Sequence, residues 1–309
     1  MKVIRETDEI RAFFENSKTA VALGAFDGLH TGHRAVINRV IDSGYMPTVF
    51  TFLDNPAEKL AGKCSYLTTP EERLGILESW GVEAVIIPNF SDVSDWSPES
   101  FLVTLRDAVN AKLISCGEDF CFGKNAAGNI GTLRSFCEEN AIELNVAEPV
   151  MLGGDRISST RIRALLSDGE VGKAAEMLGR PFGFKFEVVH GNHLGRTIGI
   201  PTINQAFPDN FILPRFGVYA SAVYIDGKAY CGVTNVGVKP TVGSDHALSE
   251  TWIPDFSGDL YGKVLRLELL GFIRDERKFS GLEELRGVIK QNAVTAREIF
   301  VDYCNSRAI

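Results

Sequence analysis

The first half of the chain alternates short apolar runs with longer segments in which apolar residues recur every three or four positions. "TAVALGAF", "MPTVFTFL", "VEAVIIPNF", "AKLISCG" and "IELNVAEPV" are brief and rich in Val, Ile and Phe, which predicts five strands. Helices are predicted between them. In "TTPEERLGILESWG", Thr69 stands before Pro70 and two glutamates, a helix start, and Gly81 supplies the stop. "SPESFLVTLRDAVN" repeats the device with Ser97 and Pro98. Strands separated by helices of this length pair in parallel through right-handed crossovers, so this half is predicted to be a doubly wound α/β sheet of Rossmann-like type.

The pattern changes after "ALLSDGEVGKAAEMLGRPF", a helical stretch closed by Gly179 and Pro181. From Phe184 the period is two. "FKFEVVHG" alternates Phe184, Phe186 and Val188, and "KVLRLELL" sets Leu265, Leu267 and Leu269 against Arg266 and Glu268. "VYASAVYIDGKAYCGVTNV" predicts a hairpin turning at Asp226 and Gly227. A last helix is predicted to start at Ser280, with Glu283 closing a capping box and Leu282, Leu285, Ile289, Ala296, Ile299 and Phe300 on its inner side. The change of pattern places a domain boundary near Gly183, between an α/β half, 1–183, and a β-barrel-like half, 184–309.

Composition narrows the partners. With 309 residues, two domains are the better prior, and 45% apolar with 23% charged residues is ordinary for a globular protein. A net charge of −8 provides no footprint for a phosphate backbone, so no nucleic-acid partner is expected. Six cysteines, Cys64, Cys116, Cys121, Cys137, Cys231 and Cys304, include no CxxC pair, which predicts reduced and mostly buried thiols rather than zinc ligands or disulfides. The charged start and the absence of a long apolar run predict a cytoplasmic protein with no membrane contact. Nothing in the sequence decides between monomer and homo-oligomer.

Candidate chemistry begins at "ALGAFDGLHTGH", at the end of the first predicted strand. Gly24, Gly28 and Gly32 allow close approach of backbone amides to a ligand, and a helix starting near His30 would turn its positive end toward an anion. His30 and His33 lie three apart, on one side of the first turn. Taken alone, this is equally an anion site and a glycine turn with two solvent-facing histidines. "ISSTRIR" adds the hydroxyls of Ser158, Ser159 and Thr160 and the guanidinium of Arg163 at another predicted helix start. The pair resembles the HxGH and ISSTxIR motifs of the nucleotidyltransferase superfamily.

The resemblance extends along the chain. "GAFDGLHTGH", "GEDFCFG", "ISSTRIR", "LGRPF", "GRTIGIPTIN", "GVYA", "NVGVKPT", "DFSGDLYG" and "RDERKF" stand in the order found in bacterial bifunctional riboflavin kinase/FMN adenylyltransferases, often called FAD synthetases. The resemblance implies riboflavin, FMN and ATP as substrates, FAD as product and Mg²⁺ as the metal. In the first half it implies transfer of AMP from ATP to FMN. His30 and His33 would hold the ATP phosphates, Gly24, Phe26, Asp27 and Gly28 would shape the turn, and Arg163 with Arg156, Ser158, Ser159 and Thr160 would clamp the departing pyrophosphate. Asp119 and Phe120 would lie along the flavin or nucleotide. The family's Pro-His-Pro run is absent: Asn55 stands where its histidine would be, with Asp54 before it, and Cys121 and Ala126 replace frequent basic residues.

No GxxxxGK[ST] sequence occurs, which excludes a P-loop kinase. Gly191, Gly195 and Arg196 precede Thr202 and Asn204, whose side chains two apart on a strand point the same way and suit a hard cation. By resemblance these belong to a Greek-key riboflavin kinase barrel with a terminal helix, in which Glu250 matches the base for the ribityl hydroxyl. Spacing alone does not choose Glu250 over Asp245, Asp255 or Asp259. Two narrower readings stay open at this level: a riboflavin kinase with a single activity, and a flavin- or nucleotide-binding regulator without turnover.

Overall fold

The computed structural model describes residues 1–52, 65–191, 195, 199–241 and 244–307. Asn55 and Arg196 lie outside the described residues. The chain divides into two compact units, a first that ends at Ser158 and a second that takes up from Ser159 and includes Ser65–Leu67.

In the first unit β1 (Lys2–Ile4), β2 (Thr19–Leu23), β3 (Met46–Phe50), β4 (Ala84–Ile86), β5 (Ala111–Gly117) and β6 (Glu143–Ala147) form one sheet in the order β1-β4-β3-β2-β5-β6, every pair parallel. The predicted strands are β2 to β6. β1 is added at the edge, three residues long and too short to show a period. Helices α1 (Thr7–Phe14), α2 (Thr31–Ile41), α3 (Pro70–Ser79), α4 (Phe90–Val93), α5 (Pro98–Asp107) and α6 (Ile130–Glu139) lie between the strands. A short hairpin, β7 (Met151–Leu152) and β8 (Asp155–Arg156), ends the unit.

The strand period sorts the core into two layers. Ala20 and Ala22 of β2 pack with Val36, Ile37 and Val40 of α2 and Leu77 of α3, while Val21 and Leu23 pack with Phe14, Phe101, Leu105 and Leu133 of α1, α5 and α6. The helix starts follow the sequence closely. The Thr69 hydroxyl accepts from the Glu72 amide at 3.2 Å, and the Thr69 amide donates back to the Glu72 carboxylate at 3.4 Å, a capping box worth roughly 1 kcal/mol.

The second unit carries α7 (Ser159–Ser167) and α8 (Val171–Leu178), then a closed antiparallel barrel and α9 (Leu282–Arg307). The barrel strands are β9 (Gly183–Val189), β10 (Thr202–Ala206), β11 (Gly217–Ile225), β12 (Lys228–Thr241), β13 (Ser244–Trp252) and β14 (Val264–Arg274), in the order β10-β13-β12-β11-β14-β9 with β9 closing on β10. Asp226 and Gly227 both take positive φ, +49° and +80°, as the hairpin reading requires. β9 starts at Gly183, yet the packing division falls earlier, at Ser158 and Ser159, because α8 packs on β14 and the Leu166 carbonyl accepts from the Arg215 amide at 2.9 Å. A helical period looks the same whichever partner it packs on, so the change of pattern could not assign α7 and α8.

Two local expectations change. The Ser280 amide and hydroxyl both donate to Glu284, at 2.9 and 2.7 Å, rather than pairing with Glu283, and Leu282 is half exposed at the frayed start of α9. Glu268 is buried although its alternation points it outward, because α9 covers that side of the barrel: the hydroxyls of Tyr224 and Tyr303 donate to it at 2.9 and 2.7 Å and Arg266 at 3.0 Å. Phe186 stacks on Phe184 with ring centroids 5.0 Å apart and packs edge-on against Phe207 and Phe211. These rings form one aromatic cluster.

The described cysteines are all free thiols. Burial pushes the Cys116 thiol up to about 12, helped by the nearby Cys137 and Asp119, and those of Cys137 and Cys231 up to about 11. Cys121 is exposed. Since the thiolate is the reactive form, a thiol reagent at pH 8 is expected to modify Cys121 in the native chain and to reach Cys116, Cys137 and Cys231 only on unfolding, as peptide mass mapping would show.

Candidate functional site

The sheet order reverses beside β2, whose neighbours are β3 and β5, and an open parallel sheet binds ligands beyond the carboxyl ends of the strands at such a point. The turn Gly24–His30 sits there. His30 is the N-cap of α2, and its Nδ1 accepts from the His33 amide at 3.2 Å. In a neutral ring that bond puts the proton on Nε2. The rings of His30 and His33 stack with centroids 3.6 Å apart, and Phe26 meets His33 edge-on at 5.3 Å.

The turn is tightly packed from below. Phe26, Asp27 and His30 are buried. A Cβ on Gly24 would stand 3.0 Å from the Phe26 ring, and one on Gly32 would stand 3.1 Å from that of His30. These two glycines therefore make room for the protein's own rings. Gly28 serves the backbone, with φ +79°. Phe26 and Leu29 also take left-handed φ, +52° and +44°, which costs a bulky residue about 1–2 kcal/mol each. Such strain persists only where the surroundings hold it.

The carbonyl of Ile157 lies 3.9 Å from the Cβ position of Gly32, so the start of "ISSTRIR" reaches the HxGH turn within the first unit. Beyond β5, the Phe120 ring stacks on Phe122 at 5.7 Å, and Asp119 pairs with Arg156 at 3.0 Å. Two residues expected to serve flavin and phosphate separately are thereby joined to each other. Cys121 and Ala126 are exposed close by in sequence. In the second unit Ser159 opens α7, Thr160 is exposed, and the Arg163 Nε donates to the Ser65 carbonyl at 2.8 Å.

On the barrel, Glu250 lies on β13 rather than in a loop. It stands directly opposite Asn204 of β10 on one side and Asn235 of β12 on the other, and residues paired in this way share a face. Thr202, two positions from Asn204, is half-buried on the same strand. Asn204 is buried, and its Oδ1 has no hydrogen-bond partner among the described residues. A buried amide oxygen without a donor is suited to a hard cation. Gly191 permits this placement, since a Cβ there would be 2.5 Å from Asn204 Nδ2. Gly195 lies beside Ile200, whose amide donates to the Gly195 carbonyl at 2.8 Å.

The rival acids are engaged elsewhere: Asp255 pairs with Arg297 at 2.7 Å, and Asp259 accepts from the Tyr261 amide at 3.0 Å. The side chain of Asp245 is outside the description. Among the described residues no group of three or more His, Cys, Asp or Glu could hold a metal ion.

Comparison with known proteins can now be set on this geometry. Residues 13–161 match the family model described as FAD synthetase, and residues 178–300 match that described as riboflavin kinase. A protein of Listeria monocytogenes named bifunctional riboflavin kinase/FMN adenylyltransferase is 32% identical over 289 residues, 91% of this chain and 92% of that one. One of the same name from Escherichia coli is 34% identical over the same shares. The chain belongs to the bifunctional riboflavin kinase/FMN adenylyltransferase family.

A solved structure titled "Macrolide-efflux Protein from Streptococcus pneumoniae" has the fold of this family member, with a TM-score of 0.85 and 32% identity over 96% of this chain and 98% of that one. Among the described residues of the present chain no helix is long and apolar enough to cross a membrane. As a riboflavin kinase/FMN adenylyltransferase family member, the chain contains two residues that sequence reasoning passed over. Arg73 is buried beneath the HxGH turn, and Asn235 donates to Glu276 at 3.0 Å in the Glu250 row. A single arginine on a helix has no marker in the sequence. Asn235 and Glu276 lie in "NVGVKPT" and "RDERKF", but only strand register shows what they meet.

Proposed function

We propose that the chain makes FAD in two steps: ATP phosphorylates riboflavin to FMN in the part that matches riboflavin kinase, and a second ATP transfers AMP to FMN in the part that matches FAD synthetase, releasing pyrophosphate. What carries the reading is that each of the two family matches contains its own polar constellation, His30 with His33 in one and Asn204 with Glu250 in the other. Both halves match their family models, which favours two activities over one or none.

In adenylyl transfer the FMN phosphate attacks the α-phosphorus in line, so the protein's work is positioning and charge stabilisation. His30 would donate from Nε2 to the ATP phosphates, with His33 stacked on it and the N-terminus of α2 adding its partial positive charge. Arg156 and Ser158 would bind the departing phosphates. In this reading Arg156 exchanges Asp119 for phosphate.

In the kinase, Thr202 and Asn204 would hold Mg²⁺ through their side-chain oxygens together with the ATP phosphates. Bound there, Mg²⁺ supplies neutralisation of phosphate charge. Glu250 would accept the proton of the terminal ribityl hydroxyl as that oxygen attacks the γ-phosphorus. Gly191, Gly195 and Arg196 would border the phosphates. We place the protein in the cytoplasm, where its nucleotide substrate is abundant.

Two incubations with ATP and Mg²⁺, one with riboflavin and one with FMN, followed by separation of the flavins, test the reading. FMN and FAD from the first and FAD from the second are expected; FMN alone would leave only the kinase. The flavin side can be probed at its departure from the family. Asn55→His is expected to tighten FMN binding several-fold in a titration of flavin fluorescence, and an unchanged affinity would assign Asn55 to the scaffold.

A further inference from the structure

We propose that Arg73 is a positioning residue for adenylyl transfer: together with Thr51 it clamps the carbonyl of Ala25 and so holds the turn Gly24–His30 in its strained form. The inference rests on the proposed reading of that turn as an ATP site. Arg73 projects from α3 and is 2% exposed. Its Nη1 donates to the Phe52 carbonyl at 2.8 Å and to that of Ala25 at 3.4 Å. Thr51, also fully buried, donates from its hydroxyl to the same Ala25 carbonyl at 3.0 Å. The Thr51 amide is tied in turn to the Ile86 carbonyl at 3.0 Å, so this donor is fixed to the sheet.

Ala25 immediately precedes Phe26, the first residue of the turn with left-handed φ. Its carbonyl belongs to the peptide plane that Phe26 enters, and two donors fix the tilt of that plane. Without them, Phe26 is free to relax toward an ordinary φ, carrying its ring away from His33 and shifting the His30 cap. A residue needed only to fill space would be apolar, because burying a guanidinium is costly unless its donors meet fixed acceptors. Both bonds come from the one Nη1, whose two hydrogens the guanidinium plane holds in fixed directions, whereas a lysine ammonium is shorter and rotates freely. Arg73 thereby couples the end of β3, where the chain passes toward Asn55, to the phosphate-facing turn after β2.

Thr51→Val removes one donor and keeps the side-chain shape, while Arg73→Lys keeps the charge and loses the planar Nη1 that meets both carbonyls. In the full chain both variants are expected to raise hydrogen exchange in peptide 24–33, with peptides from the barrel unchanged. FAD formation should fall in kcat by on the order of 10²-fold for Arg73→Lys and less for Thr51→Val, with little change in the KM for ATP and none in riboflavin phosphorylation. Unchanged exchange in peptide 24–33 of Thr51→Val overturns the inference. So does raised exchange with an unaltered kcat per folded molecule, which would make Arg73 a packing residue. Absence of FAD formation by the wild type would instead remove the reading on which the inference stands, and the exchange result would still judge the clamp.

Discussion

Replacing His30 by alanine is expected to lower FAD formation from FMN by about 10²–10³-fold while riboflavin phosphorylation continues at the wild-type rate. The argument has two parts that the experiment can separate. His30 is a structural cap, because its Nδ1 accepts from the His33 amide, and losing a cap costs roughly 1 kcal/mol. It is also the proposed phosphate donor through Nε2. His30→Asn restores a good cap without the imidazole, so it should recover the lost stability and leave adenylyl transfer as slow as in His30→Ala. Recovery of FAD formation in His30→Asn would make the imidazole a cap only. Loss of both activities in a folded variant would refute the division into two independent sites.

The second large effect is expected at Glu250. Glu250→Gln keeps the size of the side chain and its place between Asn204 and Asn235 but removes the acceptor for a proton. Phosphorylation of riboflavin should fall by about 10²–10⁴-fold, the usual contribution of a general base, and FMN adenylylation should be unaffected. The loss should lie in kcat, since a neutral amide can still hydrogen-bond the hydroxyl. A kinase rate within a factor of a few of wild type would remove Glu250 as the base and redirect attention to Glu276, held by Asn235 in the same row.

These two variants use the same chain as its own control. Each disables one reaction and leaves the other as a measure of folded protein, so a general loss of structure cannot pass for a local effect. The cysteine chemistry adds an independent check on the fold, because the thiols of Cys116, Cys137 and Cys231 are raised by burial and respond to unfolding rather than to ligand.

Much of this molecule was legible from local pattern. Five of the six parallel strands, the caps at Thr69 and Ser97, the Asp226-Gly227 hairpin and the position of the HxGH turn after β2 all follow from periods and short-range chemistry. Those signals are read over a few residues, and the physics that creates them acts over the same range. The placing of the two histidines at a helix start was legible for the same reason, since their spacing and the cap are both local.

What tertiary structure decided lies between segments distant in sequence. Glu250 differs from its acidic neighbours only because strand register sets it against Asn204, while Asp255 and Asp259 are engaged elsewhere. Helices α7 and α8 have the same period whether they cover a sheet or a barrel, and only packing assigned them. Gly24 and Gly32, readable in sequence only as a glycine turn, are shown by packing to admit the rings of Phe26 and His30. Arg73 gains its meaning from the carbonyls of Ala25 and Phe52, contributed by two other loops. Local sequence determined the elements and the chemistry available at their ends; which side chains meet depends on strand order and register, and these are settled by burial of the whole chain.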